Sequence, residues 1–203
     1  MATAWERIYE TMLDLVSSQG YQATSVEELV ARAEVSRADF DRNFASKEAC
    51  AIAVFEHFRA GFEVEVRAAY EAEASWPDSL RAAAYAVARW MVAHPREVRF
   101  GGVEMLWAGE MAQTHREATF QSFVDMIEAG RAQLEDPDSV PAIAPERAVG
   151  AIAELAAKRL QRPNVGIYEL VPELMYLAVL PYLGEEVAAR ELTMPAPKRA
   201  EPD

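Results

Sequence analysis

The sequence predicts an all-α chain of about nine helices, and three observations carry that prediction. Runs such as AAAYAVA and AIAELAAK are built from strong helix formers. Glycine is scarce, with 9 among 203 residues, so few points invite a turn inside an element. Apolar residues recur at three- and four-residue spacing behind serines placed as helix caps.

The elements follow in order. Between Trp5 and Gln19, Ile8, Met12, Leu15 and Val16 form one stripe of an amphipathic first helix, and Gly20 stops it. Ser25 with Glu28 three residues on is a capping box, opening a short second helix with Val26, Leu29, Val30 and Ala33 on its stripe. Ser36 with Asp39 gives a second cap signal and a third helix over Arg37 to Asn43, with Phe40 and Phe44 on its buried side. Two short capped helices joined by a tight turn and buttressed by an earlier helix have the layout of a helix-turn-helix, although such pairs also occur as plain packing units.

Ser46 caps a long fourth helix to about Glu73, its buried face marked by Ile52, Phe55, Phe58, Phe62, Val66 and Tyr70, and Trp76-Pro77 ends it. Asp78 or Ser79 opens the next helix, which stops at His94 before Pro95. Further helices are expected over Val98 to Ala108 and about Met111 to Leu134. Gly101-Gly102 marks either a kink or a place of close approach. Glu135 to Pro145 reads as an exposed connection. Two last helices, Glu146 to Gln161 and about Ile167 to Arg190, are separated by Arg162 to Gly166. The final MPAPKRAEPD has almost nothing to bury and is expected to be disordered. The domain reading is therefore 1–48, 49–193 and a tail at 194–203.

At Gly20 to Glu48 the chain reads GYQATSVEELVARAEVSRADFDRNFASKE, and this resembles the N-terminal helix-turn-helix of the TetR family of transcriptional regulators. The resemblance rests on Gly20-Tyr21, Thr24-Ser25-Val26, Leu29-Val30, Ala33, Val35-Ser36, Phe40, Phe44 and Ser46-Lys47-Glu48 at the family's spacing. It implies a homodimer that lays the third helix of each subunit in successive major grooves of a palindromic double-stranded DNA operator. It also implies a repressor released when a small molecule enters the C-terminal part.

The residues support the first half of that picture. Arg37, Ala38, Asp41 and Arg42 lie away from Phe40 and Phe44 and can reach base edges or phosphates. Thr24 and Ser25, at the start of the second helix, suit a phosphate or simply cap the helix. Ser36 caps the third helix, Asn43 offers an amide donor or acceptor, and Lys47 matches a phosphate-contacting position of the family.

Two positions depart from the family. Its usual glycine before Val35 is Glu34, and its phosphate-binding tyrosine after the Phe40 position is Asp41. A carboxylate is repelled by phosphate unless it accepts a hydrogen bond from cytosine N4 or pairs with an arginine. Residues 1–50 carry five basic side chains against nine acidic ones, so any DNA contact rests on a few placed cations. A helix-turn-helix that no longer binds DNA, in a ligand-binding or protein-interaction dimer, is the alternative reading.

In the C-terminal part, Tyr85, Trp90, Phe100, Met105, Trp107, Met111, Phe120 and Phe123 concentrate large and pliable side chains. They serve either as an apolar effector pocket or as an ordinary core. Arg99, Glu104, Gln113, His115 and Tyr85 could orient a ligand but read first as surface groups. The eighth helix carries Ile152, Leu155 and Ala156 on one stripe, and the last, with Val171, Leu174, Met175 and Ala178, is apolar nearly all round and needs cover on both sides. The resemblance assigns the second cover to a partner subunit, and the bland rival is burial in the chain's own core.

Other classes are not supported. The net charge of −13 argues against holding nucleic acid by bulk electrostatics. His57, His94 and His115 are scattered, and no metal-ligand spacing, nucleophile elbow, glycine-rich phosphate loop or cysteine pair is present, so neither an enzyme, a metal nor a cofactor is expected. The one cysteine, Cys50, reads as a small hydrophobe rather than a redox sensor. The longest apolar stretch falls short of the ~20 residues needed to span a membrane, and the N-terminus lacks signal-peptide character, so a cytoplasmic location with no membrane partner is expected.

Overall fold

The structure, a computed structural model, describes residues 2–160 and 166–197. Among them it contains nine α-helices and no strand: α1 (Ala4–Gln19), α2 (Val26–Arg32), α3 (Arg37–Asn43), α4 (Lys47–Glu71), α5 (Trp76–Ala93), α6 (Pro95–Gly102), α7 (Glu110–Glu128), α8 (Ala144–Leu160) and α9 (Ile167–Glu191). Short 3-10 turns occupy Glu104–Trp107, Ala129–Gln133 and Pro137–Ser139.

The helices divide between two compact units. The first comprises Met1–Gly61 and His94–Thr119, the second Phe62–Ala93 and the chain from Phe120 onward, so α4 and α7 each pass from one unit into the other. The unit that contains residues 1–48 thus also takes in the first half of α4, all of α6 and the start of α7.

In the first unit, Ile8, Met12, Leu15 and Val16 of α1 are buried as their spacing predicts, together with Leu13. They pack with Leu29, Phe40, Val54, Phe100 and Met105. Each such aliphatic side chain withdrawn from water contributes about 1.5–3 kcal/mol. Helix α6 is tied along α1 by Arg96, which donates to Glu10 (2.9 Å) and Asp14 (2.6 Å). The Gly101-Gly102 pair marks a helix end with a close approach rather than a kink. Helix α6 ends there, and a Cβ on Gly101 would stand 3.0 Å from the Phe55 ring. Cys50 is buried, and burial pushes its thiol up to about 12, so the helix start nearby does not activate it.

In the second unit, Leu170, Val171, Met175, Ala178 and Tyr182 of α9 pack into a core with Leu80, Tyr85, Ala148 and Trp76. Trp76 donates its indole N–H to the Met126 carbonyl (2.9 Å) and meets Tyr182 edge-on. The expectation that Trp76-Pro77 ends a helix is corrected, because α5 begins at Trp76 with Ser75 accepting from the Asp78 N–H (3.4 Å). A proline in the first turn loses nothing, since the N–H groups there have no intrahelical partner. Helix α9 breaks at Gly184, whose φ of 74° and ψ of 176° are non-helical. The Tyr176 hydroxyl spans the break to Glu185 (2.9 and 3.1 Å), and Arg81 clasps Glu191 beyond it through two buried bonds of 2.9 and 2.8 Å.

The expected connection at 135–145 is only partly exposed. Val140 is buried, and Arg131 gathers the carbonyls of Pro137 and Val140 at 2.5 and 2.6 Å. Of the expected disordered tail, Ala196 packs against the second core, and residues 198–203 lie outside the described residues, as do 161, the expected end of the eighth helix, and 162–165 of the expected separator. No helix among the described residues is long and apolar enough to cross a membrane.

Candidate nucleic-acid interface

The α2–α3 pair is assembled by local rules. Ser25 accepts from the Glu28 N–H (3.1 Å), and Ser36 accepts from the Asp39 N–H (3.0 Å) while donating to the Asp39 carboxylate (2.6 Å). The reciprocal arm of the Ser25 capping box is absent, because Glu28 instead accepts from Gln19 (2.8 Å). Between the helices, Glu34 takes a φ of 53°, the single positive φ at a non-glycine residue among those described. The departure from glycine read in the sequence therefore sits in a left-handed backbone conformation. The turn is held from beneath by Arg7, which donates to the carbonyls of Ala33 (2.9 Å), Glu34 (3.4 Å) and Ala2 (2.8 Å).

Phe40, 1% exposed, and Phe44 seat α3, with ring centroids 5.2 Å apart and Trp5 packed on Phe44. That leaves Arg37, Ala38, Asp41, Arg42 and Asn43 exposed. Arg37 donates from Nε to Asp41 (2.9 Å) and from Nη1 to Glu27 of α2 (2.8 Å). Arg42 pairs with Asp39 and donates to the Ala38 carbonyl (3.3 Å), and Asn43 donates to the Asp39 carbonyl (2.7 Å). Both guanidiniums of the candidate reading face thus carry carboxylate partners. Exposed pairs of this kind contribute little and exchange readily.

Two predicted contact residues turn inward. Thr24 is 1% exposed, and its hydroxyl donates to the Gly20 carbonyl (2.9 Å), so its expected phosphate contact is corrected to a structural role. Lys47 donates to the carbonyls of Tyr21 (2.9 Å) and Thr24 (2.8 Å) and lies 4.2 Å from the Tyr21 ring centroid, with burial lowering its pKa. The lysine fastens the turn before α2 to the start of α4. Glu104, 7% exposed, grips the same turn by accepting from the Tyr21 N–H (2.8 Å), which corrects its reading as a ligand-orienting or surface group. Sequence reasoning missed the roles of Glu27, Arg7 and Glu104. Glu104 lies 83 residues from its partner, a separation that no local pattern encodes.

The eight residues proposed for an effector pocket fall four in each unit. Phe100 and Met105 are core of the first unit, while Trp107 (61%) and Met111 (64%) are exposed on it. This corrects Phe100 and Met105 to packing, since the tight core around α1 takes them up. In the second unit Tyr85 and Trp90 are buried, Phe120 and Phe123 half-buried, and the Phe62 ring meets Trp90 and Phe123 at 4.9 and 6.1 Å. Of the dimer candidates, Ile152, Leu155, Ala156 and Leu174 remain half-exposed. Val171, Met175 and Ala178 are instead buried in the unit's own core, because the inner stripe of α9 packs on α5 and α8. Among the described residues no three of His, Cys, Asp and Glu converge as metal ligands.

An all-helical chain with a capped helix-turn-helix at its N-terminus defines a class, and comparison with known proteins narrows it. Residues 8–54 match the family described as bacterial regulatory proteins, tetR family. Among solved structures, a tetR-family bacterial regulatory protein from Rhodococcus RHA1 is similar with a TM-score of 0.68 at 19% identity, covering 90% of this chain and 98% of that one. The regulator FadR from Bacillus subtilis, in complex with stearoyl-CoA, gives 0.68 at 12% identity over 85% and 96% of the two chains. AibR, in complex with isovaleryl coenzyme A and operator DNA, gives 0.66 at 17% over 90% and 100%. No curated protein matches significantly. Residues 8–54 therefore match the helix-turn-helix of the tetR family, and the chain as a whole shares the fold of these solved structures.

Proposed function

We propose that the protein is a homodimeric, sequence-specific DNA-binding transcription regulator, a repressor whose hold on a palindromic operator is released by a small-molecule effector. The observation that carries this reading is α3 itself, a capped helix seated on Phe40 and Phe44 that offers Arg37, Ala38, Asp41, Arg42 and Asn43 to solvent. Residues 1–48 read DNA, with Ser25 and Ser36 as flanking caps near phosphates, and 49–193 carry effector binding and dimerisation. The half-exposed Ile152, Leu155, Ala156 and Leu174 form the core of the subunit contact. The effector has an apolar part, for which Tyr85, Trp90, Phe120 and Phe123 of the second unit are the candidate lining. Acyl-CoA thioesters are the first class to test, because two fold-similar proteins hold them.

The test is selection from a random-sequence duplex library by the purified protein at two salt concentrations, followed by challenge with isovaleryl-CoA and stearoyl-CoA. Enrichment of a palindrome with half-sites about one turn, roughly 34 Å, apart supports the reading, as does its loss with the thioester. A second reading, a ligand-binding or interaction dimer that no longer binds DNA, is favoured by one feature. Arg37 and Arg42 are paired with carboxylates, and Arg7 and Lys47 are spent on backbone carbonyls. Failure of the library to enrich any motif, with Arg42→Ala leaving all measurable functions intact, selects that alternative.

A further inference from the structure

We propose that Arg37 and Asp41 act as one base-reading unit, selecting two adjacent G·C pairs in each operator half-site, with Arg37 on a guanine and Asp41 on a cytosine amino group. The inference rests on the DNA-binding reading above and names the sequence class that the recognition helix fits.

Three observations converge. Arg37 and Asp41 stand one helical turn apart on the exposed flank of α3, bound Nε to Oδ1 at 2.9 Å. The carboxylate therefore engages the Nε edge of the guanidinium and leaves its Nη1–Nη2 end to other acceptors. Nη1 is held by Glu27 at 2.8 Å across the turn, in a pair whose members are both more than half exposed and which exchanges cheaply for another acceptor. Guanine O6 and N7 form the acceptor pair that matches an outward guanidinium fork.

The charge of α3 makes the same point from the opposite direction. Its seven residues include two arginines and two aspartates, so the helix brings no net charge to the phosphates. Asp41 is acceptor-only when ionised. Phosphates offer it nothing, and in the major groove the donors are the amino groups of cytosine and adenine, of which cytosine N4 is the usual carboxylate partner. One turn of helix rises about 5.4 Å against about 3.4 Å per base step, and the two side chains lean together, which places them on neighbouring base pairs. A tyrosine or an apolar residue at position 41 would impose no such choice.

The experiment compares library selection by the wild type with selection by Asp41→Asn and Arg37→Ala, all three first shown to melt alike, which exposed positions permit. The wild type is expected to enrich a palindrome with two adjacent G·C pairs per half-site. Asp41→Asn is expected to keep the rest of the motif while moving one of those positions from cytosine towards adenine, the partner of an amide, with about a tenfold change in discrimination there. Arg37→Ala is expected to relax the neighbouring guanine. A wild-type motif that Asp41→Asn reproduces at every position overturns the pair while leaving DNA binding in place. An A·T-only half-site does the same. Enrichment of nothing by any of the three proteins overturns the DNA-binding reading and the pair with it.

Discussion

Glu34 shows how one residue type records backbone geometry. A side chain at a φ of 53° costs about 1–2 kcal/mol against the right-handed alternatives, partly offset because glycine would lose more freedom on folding. Glu34→Gly is therefore expected to stabilise the protein by about 1 kcal/mol, a rise of roughly 2–4 °C in Tm measured by circular dichroism. An unchanged or lowered Tm would mean that the Arg7 bonds beneath the turn hold it without strain. This position was legible in the sequence, where a residue stood in place of the family's glycine. The inward turn of Thr24 was not, since a hydroxyl before a helix serves a phosphate, a cap or a carbonyl equally well, and only the fold shows that it donates to the Gly20 carbonyl.

At the scale of elements, helix starts were legible wherever a serine stood three residues before an acid or a free N–H, as at Ser25, Ser36 and Ser46. The start of α5 was misplaced because Trp76-Pro77 reads as a breaker when its first-turn tolerance is overlooked. The turn at residues 20–24 was legible from Gly20 and Ser25, but what holds it was not, since Lys47 and Glu104 reach it from distant chain. Glu104→Ala leaves the buried Tyr21 N–H without its acceptor and is expected to cost about 1–3 kcal/mol, read as a lowered urea midpoint. Glu104→Gln retains an acceptor oxygen and is expected to lose less.

Acid sensitivity belongs to the same scale. The Asp78 carboxyl is held below its usual range by the Ser75 hydroxyl and then by Arg81, against an opposing effect of burial. Burial pushes the Glu56 carboxyl up, but the bonds and charges of Arg59 and His115 together leave it lowered. Depressed carboxyls contribute stability that is present above the unfolded value, about 4, and is lost as the pH falls through the lower folded value. Tm is expected to hold from pH 7 to about 5 and to fall below about 4. Asp78→Asn is expected to flatten that fall, and an equally steep fall in the variant would show that other groups govern it.

For the whole molecule, the all-helical class and the sequence of helices could be read from periodicity, since local spacing determines both. The grouping of helices into units could not. The aromatic-rich stretch from Tyr85 to Phe123 looks continuous, yet α6 and the start of α7 join the core around α1 while α5 and the end of α7 join the core around α9. Likewise α9 is apolar nearly all round, and its pattern alone does not say that Val171, Met175 and Ala178 face inward while Leu174 remains half-exposed. The function proposed above has α3 read a defined duplex as part of a dimer. It is tested most directly by fluorescence anisotropy of the enriched duplex against a scrambled one at physiological salt. Two protomers per duplex and a preference of about 10³-fold or more for the enriched sequence are expected. Equal binding of the two duplexes would contradict it.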